Sequence, residues 1–254
     1  MDPVIEIQWV RTKQELRIKW SQISMWGVGQ LSVNHVGQFC LDFIQTSPVK
    51  FNINYPESLS AGLLFLRLFF GWFYVIIPHY FILAFYDIAA FFVIFIAWWA
   101  VLFTGKYPEG MFRFVEGRLR WYMRVYAYIH FMTDQYPPFT GKPYPPKYDA
   151  LQLEIEHPES LSRGLLLLRL FFALFYVVIP HGILLYCYTA ASLFVDFIAW
   201  WVILFTGKYP KTMFKFNEGL LRWSLRLNAY MTFMTDQYPP FDGDECLESE
   251  GRGD

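Results

Sequence analysis

The chain has 254 residues, of which 55% are apolar and 21% aromatic, while 17% are charged and the formal net charge is −1. A composition this apolar points to a membrane protein rather than a soluble domain, and the missing basic surplus excludes a nucleic-acid binder that works by neutralising phosphates. Three scattered cysteines, Cys40, Cys187 and Cys246, exclude a disulfide framework or a paired-cysteine zinc site and suit a reducing compartment.

The start, MDPVIEIQWV, has no basic stretch ahead of an apolar core and does not read as a signal peptide. Residues 1–48 carry short alternations such as Leu16-Arg17-Ile18-Lys19-Trp20, which predict a small β-rich N-terminal extension on the cytoplasmic side. From there the chain repeats itself. Pro56 matches Pro158 and Phe139 matches Phe241, each 102 residues on, and 56 of the 84 positions from 56 to 139 are identical to their partners without insertion or deletion. Two membrane repeats, 49–139 and 151–241, are thus joined by a Pro-rich linker, 140–150, and followed by an acidic tail, 242–254, read as disordered.

Each repeat opens on a strand pattern. VKFNINYPE puts Val49, Phe51, Ile53 and Tyr55 on one face, and LQLEIEHPE does the same with Leu151, Leu153, Ile155 and His157. A lone strand leaves its backbone unpaired, so the two are expected to pair with each other or with the N-terminal extension. Next, 41 residues from Leu63 to Phe103, and again from Leu165 to Phe205, run almost without charge. One crossing takes ~20 residues, so each stretch predicts a transmembrane helical hairpin. The turns are expected near Tyr86–Ala89 and Tyr188–Ser192, with kinks at Pro78 and Pro180.

The third element of each repeat, 111–132 and 213–234, is amphipathic. Arg113, Glu116, Arg120 and Arg124 recur on one helical face, as do Lys215, Glu218, Arg222 and Arg226. It predicts an interfacial helix in the headgroup plane, its cations Arg113, Arg120, Arg124, Lys215, Arg222 and Arg226 open to anionic lipid or a partner. The expected fold is mainly α and polytopic: two tandem repeats, each a short strand, a transmembrane hairpin and an interfacial amphipathic helix. All basic segments then share one side, which the positive-inside rule places in the cytoplasm with both termini. The repeats should be related by a pseudo-twofold axis along the membrane normal.

Ionisable groups within the apolar stretches are costly, which makes His79, His181, Asp196, Arg67 and Arg169 the candidate intramembrane polar site. Two symmetry-related imidazoles have the chemistry to ligate a haem iron, bind a quinone or pass a proton. The structural alternative, which the sequence favours, is an imidazole that bonds a carbonyl left free by the neighbouring proline. Arg67 and Arg169 are expected to snorkel to the interface or to pair with Glu116 and Glu218. Asp196 breaks the symmetry, since Ile94 stands at the matching position; it is expected near the outer turn, with His181 or a partner protein as candidate partners. Each repeat closes on FMTDQYPPF, where Asp134, Tyr136 and Phe139, with Asp236, Tyr238 and Phe241, predict a structural clasp. No nucleophile elbow, phosphate loop or metal-binding signature appears, so no catalytic or metal residue is assigned.

In order along the chain, YPESLSAGLLFLRLFF and HPESLSRGLLLLRLFF, the IPH after each, AWW…LFTGKYP, EG…RW…R and TDQYPPF resemble a bacterial membrane family known only as domain of unknown function 4389. The first copy departs at Ala61, where Arg163 of the second keeps the family pattern. The resemblance implies an address in the bacterial inner membrane and lends no catalytic residue. The expected function is therefore a non-catalytic integral membrane subunit or scaffold of a larger inner-membrane assembly, with membrane lipids and other subunits as partners and no cofactor. The alternatives are a small transporter, channel or lipid-handling protein with a path at the repeat interface, and a haem- or quinone-binding electron-transfer subunit.

Overall fold

The computed structural model describes residues 48–145 and 149–243. The N-terminal extension, residues 146–148 of the linker and the tail from 244 on lie outside the described residues. The elements run in order β1 (Val49–Ile53), α1 (Ala61–Thr104), α2 (Glu109–Ile129), β2 (Leu151–Ile155), α3 (Arg163–Thr206) and α4 (Lys211–Met231). The described chain is mainly helical and falls into two matching halves, and α1 and α3 are long and apolar enough to cross a membrane.

The expected hairpins are absent: α1 and α3 each run as one continuous 44-residue helix through Tyr86–Ala89 and Tyr188–Ser192. The physical reason lies in Asp87, which the sequence suggested as a turn residue. Arg118 Nε and Tyr122 OH each donate to its carboxylate at 2.5 Å, so the charge is neutralised in mid-helix, and no Gly or Pro is present there to break the run. Ser60 and Ser162 cap the starts by accepting from the Leu63 and Leu165 N–H. Gly105 and Gly207 end the helices with φ of 73° and 68°, a conformation that favours glycine.

Pro78 and Pro180 produce a π turn rather than a simple kink, at Trp72–Ile76 and Leu174–Val178. Its use is phase. The buried stripe of α1 reads Leu64, Arg67 and Gly71 before the turn and His79, Leu83, Ala90, Ala97 and Val101 after it. At 100° per residue these two sets differ by roughly one residue's rotation, which the π turn absorbs. One stripe therefore stays buried along the whole helix, while the rest of the circumference is exposed and apolar from Phe65 to Phe103.

β1 and β2 pair antiparallel, with Val49 opposite Ile155, Phe51 opposite Leu153 and Ile53 opposite Leu151. Phe51 and Leu153 are themselves 102 residues apart, so the pseudo-twofold passes through the central pair. Around it the two repeats interlock. The Ile155 N–H donates to Glu116 Oε1 and the Ile53 N–H to Glu218 Oε1, both at 3.0 Å, so each strand is held by the other repeat's helix. The Leu59 N–H donates to Gly207 O at 2.7 Å and the Leu161 N–H to Gly105 O at 2.8 Å. This is an isologous dimer interface built within one chain.

α2 and α4 form the middle layer, between the sheet and the long helices, and this corrects the reading of them as interfacial. From Phe114 to Asp134 no residue of the first repeat is exposed. The charged stripe turns inward, onto backbone carbonyls. Arg120 donates to Gly141 O and Leu153 O at 2.8 and 2.9 Å. Arg124 donates to Thr140 O and Lys142 O at 3.0 Å each and pairs with Asp149. Arg222 reaches Gly243 O at 2.8 Å, and Arg226 faces Asp242 at 3.9 Å. Burial lowers the pKa of Arg120, an effect that the neighbouring Glu116 opposes. These four arginines are thus no lipid contacts, whereas Arg113 and Lys215 are exposed.

Candidate functional site

Apart from Asp87, two constellations collect the ionisable groups that the apolar helices carry. The first occurs twice, once in each repeat, and is built where the FMTDQYPPF segment returns onto the start of the long helix. Phe131 and Phe233 turn the chain with φ of 61° and 62°, and Met132 and Met234 N–H donate back to Ala127 O and Ala229 O at 2.9 Å. That Schellman-type exit aims Asp134 at the helix start, where Oδ2 accepts from the Ser60 N–H at 2.7 Å and Oδ1 pairs with Arg67. The copy repeats this with Asp236, the Ser162 N–H at 2.6 Å and Arg169 at 2.6 Å. Each arginine also donates to a tyrosine carbonyl, Tyr128 O or Tyr230 O, and lies 4.1 or 3.8 Å over that tyrosine's ring. Arg67 and Arg169 are therefore buried and bound, and their partners are Asp134 and Asp236 rather than Glu116 and Glu218.

The histidines are fully buried about three turns further along the helix. Trp121 Nε1 donates to His79 Nδ1 at 3.0 Å, and His79 Nε2 lies 3.1 Å from Tyr136 OH. An indole nitrogen only donates, so Nδ1 accepts and the network assigns the proton to Nε2. Tyr136 OH in turn donates to Tyr74 O at 2.8 Å, the carbonyl four residues before Pro78 that the proline leaves without its N–H. The proline's lost bond is thus replaced by the tyrosine, which the histidine holds in place. Phe139 covers the imidazole, ring centroids 4.1 Å apart and 1° from parallel. His181, Trp223, Tyr238, Tyr176 and Phe241 repeat the arrangement at 3.0, 3.0, 2.8 and 4.0 Å. Each histidine takes these partners from its own repeat. Because both nitrogens are engaged and one face is covered, an iron could reach His79 only by displacing Tyr136, and the residues present do not fit a haem axial ligand.

The second constellation occurs once and joins the repeats. Asp196 on α3 is 8% exposed; its Oδ2 lies 2.5 Å from His130 Nδ1 at the end of α2, and its Oδ1 accepts from Asn217 Nδ2 at 2.7 Å and Tyr209 OH at 3.3 Å. Ser192 Oγ donates to Asn217 Oδ1 at 2.7 Å, and the Tyr126 ring stacks on His130 with centroids 3.7 Å apart. Burial, reinforced at Tyr209 by Asp196, raises the pKa of both phenols, to about 12 for Tyr126, so they stay protonated donors. The partner of Asp196 is therefore His130 and not His181, and its place is the repeat interface rather than a solvated turn.

The pseudo-symmetric position lacks this charge. There Ala90, Ile94, Val115 and Thr232 stand for Ser192, Asp196, Asn217 and His130, and Tyr107 OH is buried without a hydrogen-bond partner among the described residues. Three of the four cluster residues went unnoticed in the sequence: His130, Asn217 and Ser192. The signal for them was present, because each is a polar residue standing where the other repeat has a different one, and Ser192 and Asp196 share a face at i, i+4.

The family described as Domain of unknown function (DUF4389) matches the chain over residues 64–141 and again over 164–242. No curated protein and no solved structure matches the chain. The two matched segments cover more than half of the chain, include both clasps and the interface cluster, and coincide with the two structural halves: the chain belongs to the DUF4389 family, in two tandem copies.

Proposed function

We propose that the chain is a non-catalytic membrane-embedded scaffold of the bacterial inner membrane, with its polar layer and both termini on the cytoplasmic side. The observation that carries this reading is the division of labour between inside and outside. Inside, the described ion pairs and polar contacts tie strand to helix, linker to helix and repeat to repeat, with imidazole nitrogens and carboxylates already engaged. Outside, both long helices offer aromatic and aliphatic side chains over nearly their whole length, among them Phe69, Phe81 and Phe92. A surface of that size suits lipid and the helices of other membrane subunits.

The test is removal. Deleting the chain should lower the abundance of at least one inner-membrane complex that co-purifies with it from native membranes in mild detergent at fixed stoichiometry. An unchanged membrane proteome, together with a chain that purifies alone, would refute the scaffold.

A further inference from the structure

We propose that α1 and α3 lie in the plane of one leaflet, as a two-helix raft seated from one side, and do not cross the bilayer. This rests on the membrane part of the reading above and not on the scaffold role.

The first observation is length. The exposed apolar surface of α1 runs from Phe65 to Phe103, ~58 Å at ~1.5 Å per residue, whereas the hydrocarbon core is ~30 Å thick. A crossing helix of that length would hold half its aromatic face in water.

The second observation is topological and decides the matter. The start of α1 is tied to the end of α3 through the Leu59–Gly207 bond, and the end of α1 to the start of α3 through the Leu161–Gly105 bond. Leu59 and Leu161 are each only eight residues from the central Phe51–Leu153 pair. At ~3.3–3.6 Å per residue that segment reaches ~55 Å in all, close to the ~66 Å of α1. A single segment, apolar on its buried face and polar on its exposed one, therefore links the two ends of each long helix. It exposes Glu57, Glu154, Glu156 and Glu159. Were α1 to cross the bilayer, this charged segment would have to cross beside it with its side chains in hydrocarbon. In the plane, the same segment stays in water while the opposite face of the helices is immersed.

Charge fits the same seat. Lys106 and Arg163 are exposed at one end of the raft, Lys208 and Lys211 at the other. Anionic headgroups of a single leaflet can meet both ends at once.

The test uses the full chain with Cys40→Ser, Cys187→Ala and Cys246→Ser as background. Ala61→Cys and Lys106→Cys, at opposite ends of α1, are treated with a membrane-impermeant maleimide in right-side-out and in inverted membrane vesicles. The in-plane seat expects both to react from the same side, to within about twofold. Reaction from opposite sides overturns it and leaves the membrane scaffold standing. A fluorophore at Phe81→Cys, Phe92→Cys and Phe103→Cys, in vesicles of three parts phosphatidylcholine to one part phosphatidylglycerol with lipid-borne quenchers, should report one shallow depth. A progression of up to ~33 Å across those 22 residues overturns the proposal. Failure of the chain to associate with vesicles at all overturns the seat and the membrane reading together, and would leave a protein partner as the cover of the apolar face.

Discussion

Asp196 offers the sharpest test of how the interior is organised, because the molecule contains its own control. Asp196→Ile installs the residue found at the matching position of the first repeat, Ile94, which packs against the main hydrophobic core. At position 196 the same side chain should fail. The carboxylate accepts from Asn217 and Tyr209 and faces His130 at 2.5 Å. Its loss strands the His130 and Tyr209 donors, each of which costs about 1–3 kcal/mol when buried and unpaired. Asn217 keeps Tyr209 OH at 2.9 Å and Ser192 as partners, so it adds little. The expected loss is about 3–5 kcal/mol, the range for breaking one side of a buried pair. The fourfold variant Ser192→Ala, Asp196→Ile, Asn217→Val, His130→Thr copies the matching position of the first repeat and should recover to within about 2 kcal/mol of wild type, because the His130 donor goes with the carboxylate and only the Tyr209 hydroxyl stays stranded, as the Tyr107 hydroxyl already is. Equilibrium unfolding in mild detergent, followed by near-ultraviolet circular dichroism, reads both. A single variant as stable as wild type, or a fourfold variant as weak as the single one, would refute the reasoning.

Asp134→Ala should cost about 2–4 kcal/mol by leaving the buried Arg67 guanidinium unpaired, and adding Arg67→Leu should return part of that loss in the same unfolding assay. Nitrogen NMR of labelled histidine should find His79 and His181 protonated at Nε2 alone, and Trp121→Phe should release that preference at His79 while leaving His181 unchanged. A Cβ at Gly141 would stand 2.2 Å from Gly117 O and one at Gly243 1.9 Å from Gly219 O, so Gly141→Ala and Gly243→Ala should each destabilise by about 1–3 kcal/mol. Tyr126 should ionise only near pH 12, visible in absorbance at 295 nm. Since its unfolded-state phenol ionises near pH 10, this burial contributes stability below pH 10 that is lost as the pH rises from about 10 to about 12.

Much of this was legible in the residues themselves. A constant offset of 102 revealed the repeat, and alternation of period two marked the strands that became β1 and β2. Such features are local: they depend on backbone preference and side-chain periodicity, which neighbours in the chain already express. FMTDQYPPF suggested a point of closure, whereas the contacts that Asp134, Tyr136 and Phe139 make belong to the tertiary fold.

What periodicity could not decide was what each charged group would meet. Asp87 looked like a turn because a lone carboxylate in an apolar helix is costly; Arg118, distant in sequence, removes that cost and the helix runs on. The stripe of Arg113, Arg120 and Arg124 would face lipid headgroups if the helix were peripheral, but the strand and linker of the interlocked fold present carbonyls to Arg120 and Arg124 instead. His130 and Asp196 come from different repeats and meet only across the pseudo-twofold. Amphipathic spacing fixes which side chains share a face. Which partner covers that face, water, lipid or protein, is a property of the assembled layers, and here it fell to the exchange of strands between the two repeats to decide it.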